Sequence, residues 1–133
     1  MVRTLPILSF LLLFVLALTG CKKDDLVAST GAELLTLATE LNETVSKAED
    51  KKQGVADAQK ALDAKKADLK TKMDEVKELR GFQVSDEAMA KFQVDTTAAL
   101  GKVMGLKISL AMADKDTKKA GDDLIAAFTG IVQ

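Results

Sequence analysis

The chain has 133 residues, with 19 basic and 20 acidic side chains, one Cys, one Pro, and no His, Trp or Tyr. That length allows one domain at most, and a formal charge of −1 offers no basic face to a nucleic acid. Fourteen of the hydrophobic residues fall in the first 20 positions; of the 49 that follow, 18 are Ala, and the only aromatic ones are Phe82, Phe92 and Phe128, a thin core for a globular enzyme.

Residues 1–20 read as a secretory leader. Arg3 precedes an apolar run from Leu5 to Leu18 that only Pro6 and Ser9 interrupt. The run has the length of a signal h-region and falls short of the roughly 20 residues needed to span about 30 Å of hydrocarbon. It closes on Leu18-Thr19-Gly20-Cys21, which resembles the lipobox of bacterial lipoproteins: an aliphatic residue, two small ones and a Cys. The resemblance covers the first 21 residues. It implies diacylglyceryl transfer to the Cys21 thiol, signal cleavage between Gly20 and Cys21, and often acylation of the new amino group. A single Cys excludes an internal disulfide, and two or three acyl chains anchor stably where one is marginal. Lys22 stands where, by resemblance to the sorting rule of enteric bacteria, Asp retains a lipoprotein in the inner membrane. Lys there implies the outer membrane, facing the periplasm, in an organism with two membranes. In a single-membrane organism it implies the outer face of the cytoplasmic membrane.

After the leader, residues 21–29 read as a short lipidated tether and 30–133 as an all-α domain. From Leu26 onward there is no Pro, and Ala, Lys, Leu and Glu, all strong helix formers, abound. Positions 34, 38, 41, 45, 48, 52, 55, 59, 62, 66, 69, 73 and 76 follow 4-3 spacing and are apolar except Lys52, Gln59 and Lys66. A second register, 89, 92, 96, 99, 103, 106, 110, 113, 117, 120, 124, 127 and 131, is apolar except Thr96 and Thr117. These are heptads of coiled-coil-like packing. Thr30-Gly31-Ala32-Glu33 has the form of a capping box, Gly81 that of a helix-ending glycine, and Ser85 that of an N-cap followed by Asp86 and Glu87, with Val84 stapled to Met89. The main turn is therefore expected at 81–85. Weaker breaks fall at Gly54 and at Asp114-Lys115-Asp116.

Two architectures follow. With the weak breaks bridged, the chain is one long antiparallel hairpin. With them real, it is an up-down bundle of helices near 30–53, 55–80, 86–113 and 116–131. The segment 98–113 is apolar almost all round, with only Lys102, Lys107 and Ser109 strongly polar. Such a helix wants several neighbours, which favours the bundle or an oligomer of hairpins.

Few side chains suggest a site. Gly101-Lys102-Val103-Met104-Gly105 is a small-xxx-small motif, which in a membrane would suggest helix dimerisation; flanked by charge it reads as close packing of soluble helices. Asp114, Asp116, Asp122 and Asp123 cluster, but a calcium loop needs Gly at its sixth position, and the sixth residue from Asp114 is Lys119. Helix capping by Asp114 or Asp116 explains them. The ten basic and eight acidic residues between Lys47 and Arg80 read as a solvated face with pairs such as Asp68–Lys72 and Lys70–Asp74, or as a contact surface for an envelope partner. Asn42-Glu43-Thr44 matches a eukaryotic glycosylation sequon, which has no meaning in a bacterial lipoprotein. Without His the usual general base and commonest metal ligand are missing. Asp74, Glu75 and Glu78 lie on what reads as an exposed face, so no catalytic, cofactor or metal site is expected.

The function expected is that of a non-enzymatic, lipid-anchored helical protein of the envelope. It would be held to the membrane by lipid on Cys21 and act structurally or through contacts with an envelope protein or with further copies of itself. It is similar in general style to the small helical murein lipoproteins, but it ends in Ile131-Val132-Gln133 where the wall-attached ones end in Lys, so that covalent linkage is not expected. The alternative is a small periplasmic binding or accessory module, in which 98–113 receives a partner helix or a hydrophobic ligand.

Overall fold

The computed structural model describes residues 23–133; the leader, the lipobox and the Gly20–Cys21 junction lie outside the described residues. Four helices and one short helical turn follow in order: α1 (Asp24–Lys47), α2 (Lys51–Glu78), α3 (Asp86–Met104), α4 (Leu106–Ser109) and α5 (Lys115–Val132). The fold is an all-α bundle, with no strand among the described residues.

Several boundaries differ from the sequence reading, each for a local reason. α1 begins at Asp24, so residues 24–29 are helix rather than tether. Thr30 is not an N-cap: it is buried inside α1, and its hydroxyl donates to the carbonyl of Leu26 at 2.6 Å, the back-bond by which a helix interior satisfies Thr. Glu33 accordingly turns outward, to Lys72 at 2.9 Å. The break near Gly54 falls instead at 48–50, where Asp50 caps α2 by accepting from the N–H groups of Lys52 (3.0 Å) and Gln53 (3.3 Å). Lys51 donates to the carbonyls of Val45, Ser46 and Ala48 at 2.8–3.1 Å, satisfying orphan acceptors at the end of α1. Gly54 itself is buried within α2 because a Cβ there would sit 2.7 Å from Ala48 Cβ. α2 ends at Glu78, and Gly81 is no left-handed cap, since no described residue has positive φ. The expected helix over 86–113 stops at Met104. The expected caps at Ser85 and Asp114 are both present: Ser85 Oγ accepts from the N–H of Ala88 at 3.1 Å, and Asp114 from that of Thr117 at 2.9 Å.

Cross-links between helices fix their directions. Lys72 pairs with Glu33 at 2.9 Å and Lys65 with Glu40 at 3.6 Å, so α1 and α2 are antiparallel. Asp24 meets Ser85 while Asn42 meets Lys102, so α1 and α3 run parallel. α5 starts beside Lys52 and Val55, at the head of α2, and runs alongside it. Directions thus alternate up, down, up, down, yet the ring order is not a simple meander. α1 packs against α2 and α3, α5 packs against α2 and α3, and the consecutive pair α2 and α3 makes no helix–helix contact. The long hairpin, which needed α3 on α2, is excluded.

The two heptad registers supply most of the core, though Val27, Leu37, Ala58 and Phe128 are buried outside them and Ala120 within the second is exposed. In the first, Leu34, Ala38, Leu41, Val45, Val55, Leu62, Leu69, Met73 and Val76 are buried, while Lys52 and Lys66 point to solvent. In the second, Phe92, Ala99, Val103, Leu106, Leu110, Leu124 and Ile131 are buried. Of the aromatic residues described, Phe128 and Phe92 are interior and Phe82 is exposed.

Candidate functional site

The most distinctive surface arises where α3 breaks. Asn42 on α1 donates its side-chain amide to the carbonyl of Lys102 at 2.7 Å, taking an acceptor that a continuing helix would use. Gly105 follows as the cap, and a Cβ there would lie 3.1 Å from the Lys102 carbonyl and 3.2 Å from the Asn42 amide. The chain then makes the single turn α4. Leu106 and Leu110 point inward and are buried, with Leu110 seated where a Cβ on Gly121 would otherwise be. Three large apolar residues here are left outside: Met104 is 47% exposed, Ile108 82% and Met112 98%.

The segment 98–113 is therefore not buried on all sides as its composition suggested. Gly101 and Gly105 divide in role: Gly105 sits against Asn42, whereas Gly101 has nothing within 4 Å of its Cβ position, so close packing holds for one of the two glycines. Exposed Lys102 and Lys107 flank the tip. The nearest depression, about 240 Å³ and lined by Lys107, Leu110, Lys118, Gly121, Asp122 and Ile125, is smaller than the several hundred Å³ typical of small-molecule sites.

A larger groove of about 470 Å³ runs between α1 and α2, lined in part by Glu33, Lys65, Asp68 and Lys72. Its centre is an ion-pair triad, with Lys72 Nζ 2.9 Å from Glu33 and 3.0 Å from Asp68. The hydrogen bond to Glu33, then that to Asp68, raises the Lys72 pKa above its ordinary value. That keeps the amine charged, the opposite of what a nucleophilic Lys requires. Of the expected pairs along α2, Asp68–Lys72 and Lys70–Asp74 both form, each at 3.0 Å.

Of the four carboxylates near the C-terminus, Asp114 and Asp123 are engaged locally, while Asp116 and Asp122 stand exposed. Asp114 accepts from the N–H and, at 2.8 Å, from the hydroxyl of Thr117, and these bonds lower its pKa. Asp123 pairs with Lys119 at 3.3 Å. Among the described residues no group of three or more His, Cys, Asp or Glu is placed to hold a metal ion, and none of the described helices is long and apolar enough to cross a membrane. Asn42, which the sequence offered only as a sequon, proves to be the side chain that ends α3; its partner lies 60 residues away, and no local signal announces it. Compared with models of known families, with curated proteins and with solved structures, the chain matches none.

Proposed function

We propose that the protein is a lipid-anchored, non-enzymatic helical protein of the bacterial envelope, held by acyl chains on Cys21 and acting through protein contacts at the tip formed by Met104, Ile108 and Met112. The observation that carries this reading is the placement of three exposed apolar side chains at the opposite end of the bundle from Lys23, where the chain leads back to Cys21. Large apolar side chains left exposed close together in the chain, with Lys102 and Lys107 among them, are what an interaction site requires. Exposed side chains beside a depression of only about 240 Å³ suit a protein partner, or a second copy, better than a small hydrophobic ligand. The absence of His from the sequence and the charged state of Lys72 support a role without catalysis. Lys22 favours the outer membrane where there are two membranes, and the outer face of the cytoplasmic membrane where there is one.

Replacing residues 1–21 by an ordinary secretory leader tests the anchor. The full chain is expected in membranes with Cys21 acylated, and residues 22–133 in the soluble extracytoplasmic fraction. Retention of the latter in membranes after a high-salt wash would overturn Cys21 as sole anchor. For the tip, the soluble form is expected to bind a hydrophobic dye, and the double substitution Ile108→Asp, Met112→Asp to abolish that binding without moving the thermal midpoint. A parent that binds no dye and stays monomeric by light scattering counts against the tip as a contact surface.

A further inference from the structure

We propose that Phe82 seats the bundle on the bilayer, its ring entering the headgroup layer beside the lipid on Cys21; this rests on the lipid-anchored reading above. The turn that carries Phe82 is fastened to the start of the bundle. The N–H of Lys23 donates to the carbonyl of Gln83 at 3.3 Å, while the N–H and hydroxyl of Ser85 donate to the carboxylate of Asp24 at 2.8 and 2.7 Å. Cys21 is two residues upstream of Lys23, so its Cα lies within about 7 Å of that of Lys23 whatever path the chain takes. Phe82 adjoins Gln83 and is therefore one peptide unit, about 3.8 Å, from the residue that Lys23 grips. Acyl chains inserted from Cys21 draw this turn to the lipid surface, and the residue they bring there is a Phe 83% exposed.

Nothing within the fold accounts for an aromatic ring at that position. Gly81 beside it has nothing within 4 Å of its Cβ position, and Arg80 is exposed on the other side of that glycine. An aromatic ring at the acyl boundary with a long cationic side chain reaching to phosphate is the pattern of interfacial segments. Asp25, Glu78, Asp86 and Glu87 are also exposed at this end. With exposed Lys77 and Arg80 set among them no net basic face remains to attract anionic lipid, so the proposed contact is apolar and made with a zwitterionic headgroup layer. A lipid tether alone would leave the bundle free to swivel. A second contact at Phe82 sets its long axis away from the membrane and holds the Ile108–Met112 tip at about the length of α1, roughly 36 Å.

The chain contains no Trp, so one introduced indole reports on one place. Full-length Phe82→Trp and Met112→Trp proteins, purified from bacterial membranes, are reconstituted into phosphatidylcholine vesicles with and without brominated acyl chains. Both substitutions fall on exposed side chains and leave the core untouched. The emission of Phe82→Trp is expected to shift to the blue on reconstitution and to be quenched by brominated lipid. Met112→Trp, carrying the same indole at the other end, is expected to show neither effect, and added phosphatidylglycerol to change nothing. If both proteins float with the vesicles and neither indole is quenched, the anchor stands and the seat is overturned. Equal quenching of the two means a bundle lying flat, which also overturns it. Quenching that requires anionic lipid overturns the apolar account, and failure to float overturns the anchor and the seat with it.

Discussion

At Asp114 one carboxylate sets a helix boundary and a pH response together. The two hydrogen bonds from Thr117 hold its pKa below the ordinary value in the folded chain. A carboxylate with a depressed folded pKa stabilises the fold above its unfolded value of about 3.9, and that contribution disappears as pH falls through the folded value. The Asp114→Ala variant is therefore expected to melt below the parent at neutral pH, with the gap closing only in acid below about pH 4; thermal scans from pH 7 to 2 check this. Lys72 has the opposite sign. Its raised pKa makes its contribution complete below about pH 10.4 and lost above that. Single residues were legible in the sequence where the chemistry is local. Ser85 and Asp114 each precede a turn with acidic residues, and both act as caps. Thr30 was misread because a Thr followed three residues later by Glu looks the same at a helix start and within a helix. What tells them apart is that residues 24–29 are already helical, so the Thr30 hydroxyl is turned to the Leu26 carbonyl.

Glycines inside the helices divide by what stands opposite them. In α2, a methyl at Gly54 would meet Ala48 Cβ at 2.7 Å, the Thr44 carbonyl at 3.2 Å and Val45 Cα at 3.3 Å, none of which can swing away. In α3, Gly101 faces open space. Gly54→Ala is accordingly expected to destabilise by about 1–3 kcal/mol through overpacking, and Gly101→Ala to stabilise by about 0.5–1 kcal/mol through helix propensity. Urea unfolding midpoints of the two variants should move in opposite directions. Gly54 also explains one misplaced boundary: read as a breaker, it is a close-approach residue, and the true break carries its own signal in Asp50, a capping residue just before Lys51. The heptad spacing marks most of the buried face of α1 and α2, because burial of a helical stripe is written in every turn, but on α5 it names exposed Ala120 and passes over buried Phe128. The end of α3 was not legible, because Val103 and Leu106 continue the apolar register across the break and the termination comes from Asn42 on another helix.

For the molecule as a whole, the helical class and the alternation of directions are legible in the chain, but which helices are neighbours is not. Neighbourhood depends on side chains far apart in the chain, and both heptad stripes are equally compatible with either ring order. The parallel seam between α1 and α3 has a consequence for the order in which the bundle is assembled. α1 and α2 are joined by residues 48–50 and dock through a local connection, whereas α3 reaches its place on α1 only after about 60 intervening residues have been threaded down and back. Contacts of such sequence separation carry a larger loop-closure cost and form late. Refolding followed by pulsed hydrogen exchange is thus expected to protect amides of 24–78 before those of 86–104; simultaneous protection of both would refute it. Until α3 arrives, the face of α1 that bears Gly31, against which Phe92 and Asp95 finally pack, stays open to water. A chain emerging with its N-terminus first would keep that seam unfilled until residue 104 of its 133 was out, and the newborn hairpin would be the form most exposed to chaperones and proteases.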